Sequence, residues 1–217
     1  MVSLCILNGS PKGNNKSNSD FLIDNFSKVL SDHITINRYY MNNILKNPSL
    51  FKEIIKNDSL LIASPLYADS LPSSVLSFLH SFDDFLKTND NINLNVYGMI
   101  NCGFLEGTQN KTALKILKNF CNRTNLNWCH GIGVGGGEAL SGFGSIDSLK
   151  GMNGQVYKSF LSLASSIENK TPMLDSDSFV NPSIPKLLYI IAGNHGWKVR
   201  AKNQYKIKPR DLYKKIY

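Results

Sequence analysis

Cysteine is scarce and scattered in this chain. The four thiols, Cys5, Cys102, Cys121 and Cys129, form no C-x-x-C pair, and 217 residues need no disulfide staples. With no secretory signal ahead of them, a reducing cytoplasm is the expected compartment. Long apolar runs are missing as well. The longest candidate, Leu187-Leu-Tyr-Ile-Ile-Ala192, falls far short of a bilayer span, which predicts a soluble protein. His33, His80, His130 and His195 stand in no metal-binding or triad spacing, so no metal site is expected. No G-x-S-x-G marks a nucleophile elbow, and neither internal repeats nor a long low-complexity tract occur. What is present is 42% hydrophobic residues, enough for one domain of the larger kind, and a formal charge of +8. That charge suits nucleotides, nucleic acid or an acidic membrane surface and does not choose among them.

The remaining sequence is organised around Asn8-Gly-Ser-Pro-Lys-Gly-Asn-Asn-Lys-Ser-Asn-Ser19, a polar loop between two apolar segments. Val2-Ser-Leu-Cys-Ile-Leu7 ahead of it has the near-continuous apolar character of a strand covered on both faces. After it, Phe21, Leu22, Phe26, Val29 and Leu30 fall at helical spacing. The loop therefore ends at a helix N-terminus, where backbone N–H groups lack partners and the helix dipole favours an anion. Ser10, Ser17 and Ser19 offer hydroxyls, Asn18 an amide, and Lys12 a compensating charge, a set suited to a phosphomonoester. The loop matches neither the P-loop nor the G-x-G-x-x-G pattern.

Strand, loop and helix then repeat. A strand over 35–40 precedes a helix opened by Pro48; Ser59-Leu-Leu-Ile-Ala-Ser64 leads through Pro65 to a helix opened by Pro72. Asn95-Val-Tyr-Gly-Met-Ile-Asn101 leads to a helix over 112–122. The fifth strand, 127–134, runs into Gly135-Gly-Gly137, a flexible segment to Gly151, and a last helix through Val156, Phe160 and Leu163. Five strands alternating with five helices predict a doubly wound parallel sheet, with helices on both faces. In such sheets ligands bind outside the C-terminal strand ends, and the loops after Asn8, Pro65, Asn101 and Gly135 all lie there.

Gly9-Ser-Pro-Lys12 with Ser17-Asn-Ser19, Ser64-Pro-Leu-Tyr-Ala-Asp-Ser70, and Asn101-Cys-Gly-Phe-Leu-Glu106 together resemble the NAD(P)H-dependent FMN reductase family of flavodoxin-like proteins, over about residues 1–170. The resemblance implies a five-stranded sheet in the order 2-1-3-4-5 and leaves residues 171–217 unexplained. That C-terminal extension reads from its composition as a polar, proline-bearing linker to Pro185, a short apolar helix over 184–192 and a basic tail. It implies that the first loop holds the FMN phosphate, and that Pro65, Leu66, Tyr67 and Ala68 line the isoalloxazine ring. It also implies that Asn101, Gly103 and Phe104 meet the ring's pyrimidine edge, where negative charge gathers on reduction. Cys102 reads as a packing residue, and the compact cysteine cluster of the family's iron–sulfur members is lacking. For Glu106, a flavin contact and a solvated loop position both stand. Gly135-Gly-Gly137 is either an approach to the ring or a mobile hinge.

The implied activity is a cytoplasmic, FMN-dependent oxidoreductase. It would pass a hydride from NADPH or NADH through flavin to a quinone, a nitro or azo compound, or free flavin. A non-catalytic electron carrier and a flavodoxin-like binding module without cofactor are the alternatives. No side chain is assigned as catalytic acid or base. A homodimer is implied by resemblance. The basic, aromatic-bearing stretch from Trp197 to Tyr217 reads as an add-on packing on the domain or a partner subunit. Membrane-surface contact is its alternative, and no nucleic acid is expected.

Overall fold

Apolar runs become strands wherever both faces can be covered. The computed structural model describes residues 2–12, 17–89, 91–170, 177–208, 210–211 and 214, with the backbone alone for Glu138 and Phe143. Strand β1 (Val2–Asn8) is followed by α1 (Asn18–Ser27), β2 (Ile34–Tyr40), and two short helices, α2 (Met41–Lys46) and α3 (Phe51–Ile54). β3 (Ser59–Pro65), α4 (Ser73–Lys87), β4 (Asn95–Asn101), α5 (Lys111–Thr124) and β5 (Asn127–Val134) come next. The short α6 (Gly137–Leu140), α7 (Gly154–Asn169), β6 (Ser178–Val180) and α8 (Lys186–Tyr205) complete the order.

The sheet corrects one expectation. It has six strands rather than five, all parallel, in the order β2-β1-β3-β4-β5-β6. The added strand, β6, lies in the stretch expected to be linker. It spans three half-buried residues that pair with Ile132, Gly133 and Val134. So short a segment carries no periodicity of its own and is held by its backbone ladder. The expected flexible segment to Gly151 likewise contains α6 and a 3-10 turn, Ser141–Phe143. The chain divides into two compact units, Met1–Ser183 and Ile184–Tyr217.

Side chains alternate across each strand, so the sheet carries two cores. Cys5, Leu7, Leu60, Ile62 and Ile100 face α4 and α5 through Val75, Phe78, Phe82 and Leu114. Leu4, Ile6, Leu61, Ala63 and Met99 face α1 and α7 through Phe26, Phe160 and Leu163. Phe78 stacks on Phe82 at 5.3 Å, and Phe26 meets Phe160 edge-on at 5.5 Å. Each such buried ring contributes roughly 2–3 kcal/mol. Tyr97, fully buried, ties β4 to α7 by donating its hydroxyl to the Ser166 carbonyl at 3.2 Å.

The strand order reverses beside β1, since β2 lies on one side of it and β3 on the other. The crevice of a doubly wound sheet opens at that switch, outside the strands' C-terminal ends.

Candidate functional site

The first loop leaves the sheet with its backbone tied down. Gly9 N–H donates to the Ala63 carbonyl at 2.8 Å, and a Cβ at Gly9 would stand 2.6 Å from Val75 Cγ2, so only glycine lets α4 pack this closely. Asn8 is fully buried. Its Oδ1 accepts from Ser10 N–H at 2.9 Å, and its amide donates to Asp20 Oδ1 at 2.7 Å. Residues 13–16 of the expected phosphate loop lie outside the described residues.

At the N-terminus of α1, Ser17 and Asp20 form a capping box. Ser17 Oγ accepts from Asp20 N–H at 3.1 Å, and Asp20 Oδ2 accepts from Ser17 N–H at 3.0 Å. A helix leaves its first N–H groups without intrahelical acceptors, and this box satisfies those of Ser17 and Asp20. Among the described residues, the amides of Asn18 and Ser19 remain uncommitted. The Asp20 carboxylate is held from every side. Besides Asn8 and both groups of Ser17, it accepts from Arg38 Nη2 at 2.6 Å and Tyr40 Oη at 3.0 Å. Burial, and then the Asp20 carboxylate, push the Tyr40 phenol up, which keeps it a donor.

The three serine hydroxyls expected to bind phosphate are thus divided. That of Ser17 donates to Asp20 Oδ2 at 2.8 Å, and that of Ser19 is buried and donates to Asn101 Oδ1 at 3.0 Å. The Ser10 hydroxyl accepts from Lys12 N–H at 3.4 Å and, among the described residues, donates to nothing. Lys12 is exposed and Asn18 half-buried. The available donors are therefore Ser10 Oγ, the amides of Asn18 and Ser19, and the Lys12 ammonium. A phosphate accepts from such groups and is favoured by the helix dipole.

On the neighbouring strand, Pro65 ends β3 opposite Asn101, and Leu66 N–H continues the ladder to the Asn101 carbonyl at 2.7 Å. Leu66 packs on the core beneath. Tyr67 and Ser70 then exchange backbone hydrogen bonds at 2.9 and 3.0 Å around a two-residue turn, Ala68 and Asp69, both with positive φ. At φ 46° the Cβ of Ala68 crowds its own backbone. The turn holds Tyr67 outward, 48% exposed. Replacing Ala68 with glycine is expected to stabilise the fold by about 1 kcal/mol, read as a shift of the urea midpoint at constant slope.

Asn101 is buried where three loops meet. It receives Ser19 Oγ on its side chain and Leu66 N–H on its carbonyl, and a Cβ at Gly137 would stand 3.2 Å from its Nδ2. Beyond it, Gly103 is open, with nothing within 4 Å of a Cβ built there, and Phe104 is 54% exposed. Cys102 is buried. Its thiol points to the carbonyls of Phe104 and Glu106, and burial pushes it up, so it remains a protonated packing group.

The glycine run after β5 clamps this region. Gly136 N–H donates to the Phe104 carbonyl at 2.5 Å, Gly137 N–H to Cys102 at 2.7 Å, and Gly135 N–H to Val180 at 2.9 Å. Gly136 has φ +69°, and a Cβ at Gly135 would fall 2.0 Å from the Leu105 carbonyl oxygen. All three N–H groups are spent on backbone. Gly131-Ile-Gly-Val-Gly-Gly136 has the G-x-G-x-x-G spacing, but it begins inside β5 instead of following it, and only the four-residue α6 comes after. It therefore lacks the strand–turn–helix context of a dinucleotide fingerprint.

Asn8, Asp20, Arg38 and Tyr40 were absent from the residues picked out by sequence. The spacing Ser17-x-x-Asp20 was the signal for the box, and the β1–β2 register, which sets Asn8 opposite Tyr40, supplies the rest. Among the described residues no group of three or more His, Cys, Asp or Glu is placed to hold a metal, and no helix is long and apolar enough to cross a membrane.

No family model and no curated protein matches the chain. Solved structures do. The Trp repressor binding protein from Bacillus subtilis is 16% identical, with 81% of this chain and 99% of that one covered, at a TM-score of 0.52. An oxidoreductase from Corynebacterium diphtheriae is 12% identical over 81% and 99%, at 0.53. An FMN-dependent NADH-azoreductase from Bacillus anthracis, solved in complex with FMN, is 14% identical over 76% and 99%, at 0.50. Likeness at such low identity speaks to architecture. The chain has a flavodoxin-like fold, extended by a sixth parallel strand.

Proposed function

We propose that this protein is an FMN-dependent oxidoreductase that takes a hydride from NADPH or NADH and delivers it to a quinone, a nitro or azo compound, or free flavin. One observation carries the reading. The amides of Asn18 and Ser19, uncommitted among the described residues, and the exposed side chains of Tyr67 and Phe104 stand on the segments that follow β1, β3 and β4, three successive strands of the sheet that start at the strand-order switch. A phosphate donor set on one side and exposed aromatic faces on the other suit a flat ring carrying a phosphomonoester tail.

In this reading Ser10, Lys12, Asn18 and Ser19 hold the phosphate, with Ser17 serving as the cap that frees the two amides. Tyr67 and Phe104 flank the ring; Pro65, Leu66 and Ala68 fix where Tyr67 stands, and Asn101 locks the three loops together. The open surface at Gly103 leaves room for the ring edge. Bound FMN would supply the hydride-accepting and hydride-donating chemistry, while the chain binds, orients and excludes water. The fold relationship to an FMN-dependent NADH-azoreductase supports the choice of cofactor.

The test is the visible spectrum of FMN-loaded protein under anaerobic conditions, before and after NADPH or NADH. Bleaching within the time of ordinary turnover, restored by an azo or quinone acceptor, is expected. A flavin that bleaches slowly with either nucleotide but exchanges electrons rapidly with a redox protein would assign a carrier instead.

A further inference from the structure

The chain's charge is not spread over it. Residues 184–217 contain nine of the 24 Lys and Arg and one of the 16 Asp and Glu, so the whole +8 resides there and residues 1–183 are balanced. In the same unit α8 buries no residue. Leu187, Leu188 and Ile191 are 68%, 57% and 54% exposed, and the eleven residues from Leu187 to Trp197 contain no Lys, Arg, Asp or Glu. Lys198, Arg200 and Lys202 follow within the helix. Apart from Lys186 at the first position of α8, apolar and basic residues are thus segregated along the helix axis rather than around it. Trp197 marks the junction, its ring packed under the Arg200 guanidinium at 5.1 Å.

We infer that α8 docks on an anionic lipid bilayer surface. Its apolar half enters the boundary between headgroups and acyl chains, Trp197 sits at headgroup level, and the basic half lies against the lipid phosphates. Charge decides among occupants. A second copy of the chain would bring two +8 segments together, which opposes pairing through this face. A nucleic-acid backbone would engage the basic half and leave Leu187, Leu188 and Ile191 in water. An anionic membrane satisfies both halves at once. The inference does not depend on the flavin reading, because no residue of α8 belongs to that site.

The test uses the full chain with vesicles of phosphatidylcholine alone and of phosphatidylcholine with about a third phosphatidylglycerol, read by co-sedimentation and Trp emission. Binding at least ~100-fold tighter to the anionic vesicles is expected, weakened by salt. A blue shift that vanishes in Trp197→Phe should accompany it. Leu187→Asn with Ile191→Asn, which alters exposed positions and no charge, should weaken binding by at least ~10-fold and remove the shift. Equal affinity for both vesicles, no binding to either, or unchanged binding by the double variant would overturn the inference. So would a dimer broken by the same two substitutions, or duplex DNA binding indifferent to them in the absence of vesicle binding.

Discussion

Ser10→Asp is expected to abolish FMN binding, weakening it by at least ~100-fold in a flavin-fluorescence titration. The Ser10 side chain is the hydroxyl of the first loop with no acceptor among the described residues, and it is 4% exposed, two residues past the end of β1. A carboxylate there would face the phosphate at close range. Two unit charges about 4 Å apart repel by roughly 4 kcal/mol near a protein surface, about a thousandfold in affinity. Because Ser10 is buried, the aspartate also strains the fold, so Ser10→Ala is the companion. It removes one donor to a charged acceptor, expected to cost about 1.5–3 kcal/mol of binding, and leaves the melting temperature nearly unchanged. If Ser10→Ala binds FMN like the parent, the hydroxyl does not touch the phosphate.

Gly135→Ala should be the most damaging added methyl among the described glycines. The new Cβ would meet the Leu105 carbonyl oxygen at 2.0 Å and the Gly107 nitrogen at 2.7 Å, both backbone atoms that cannot swing aside. Relief requires moving either the β4 loop or the start of the β5 loop, and with it the Gly135 bond to Val180 that continues the β5–β6 pairing. A loss of about 3 kcal/mol or more is expected by urea denaturation. Gly103→Ala in the neighbouring loop is the control. Nothing lies within 4 Å of a Cβ there, so the change should stay within about 0.5 kcal/mol. Equal effects would mean that the glycine run after β5 is a hinge and not a clamp.

These two sites mark where sequence reading succeeds and where it stops. Strands β1, β3, β4 and β5 were legible because a parallel strand covered on both faces is a near-continuous apolar run, and α4, α5 and α7 because their apolar residues recur at helical spacing. β6 was not, since three residues held by a backbone ladder leave no pattern. α8 extends to Tyr205, well past the short helix expected near 184–192, because the densely basic residues from Trp197 onward read as a tail. Around the site, the loops were legible and the division of labour within them was not. Whether a serine hydroxyl is free depends on partners distant in sequence. Ser19 is committed to Asn101, 82 residues away, while Ser17 is committed to Asp20 in its own first turn.

The net charge taught a similar lesson. Read over the whole chain, +8 suited nucleotides, nucleic acid and an acidic membrane surface alike. Its confinement to 184–217 leaves residues 1–183 neutral, so under the proposed function nucleotide attraction there would rest on local groups such as Lys12 and the α1 N-terminus rather than on a general field.

Comparing FMN with riboflavin tests the proposed phosphate cradle most directly, since the two differ only in the phosphate. Titrated against the full chain, FMN should bind with one-to-one stoichiometry and at least ~100-fold more tightly than riboflavin, with the advantage shrinking as salt rises. Equal affinity for the two, or no uptake of either, would contradict it.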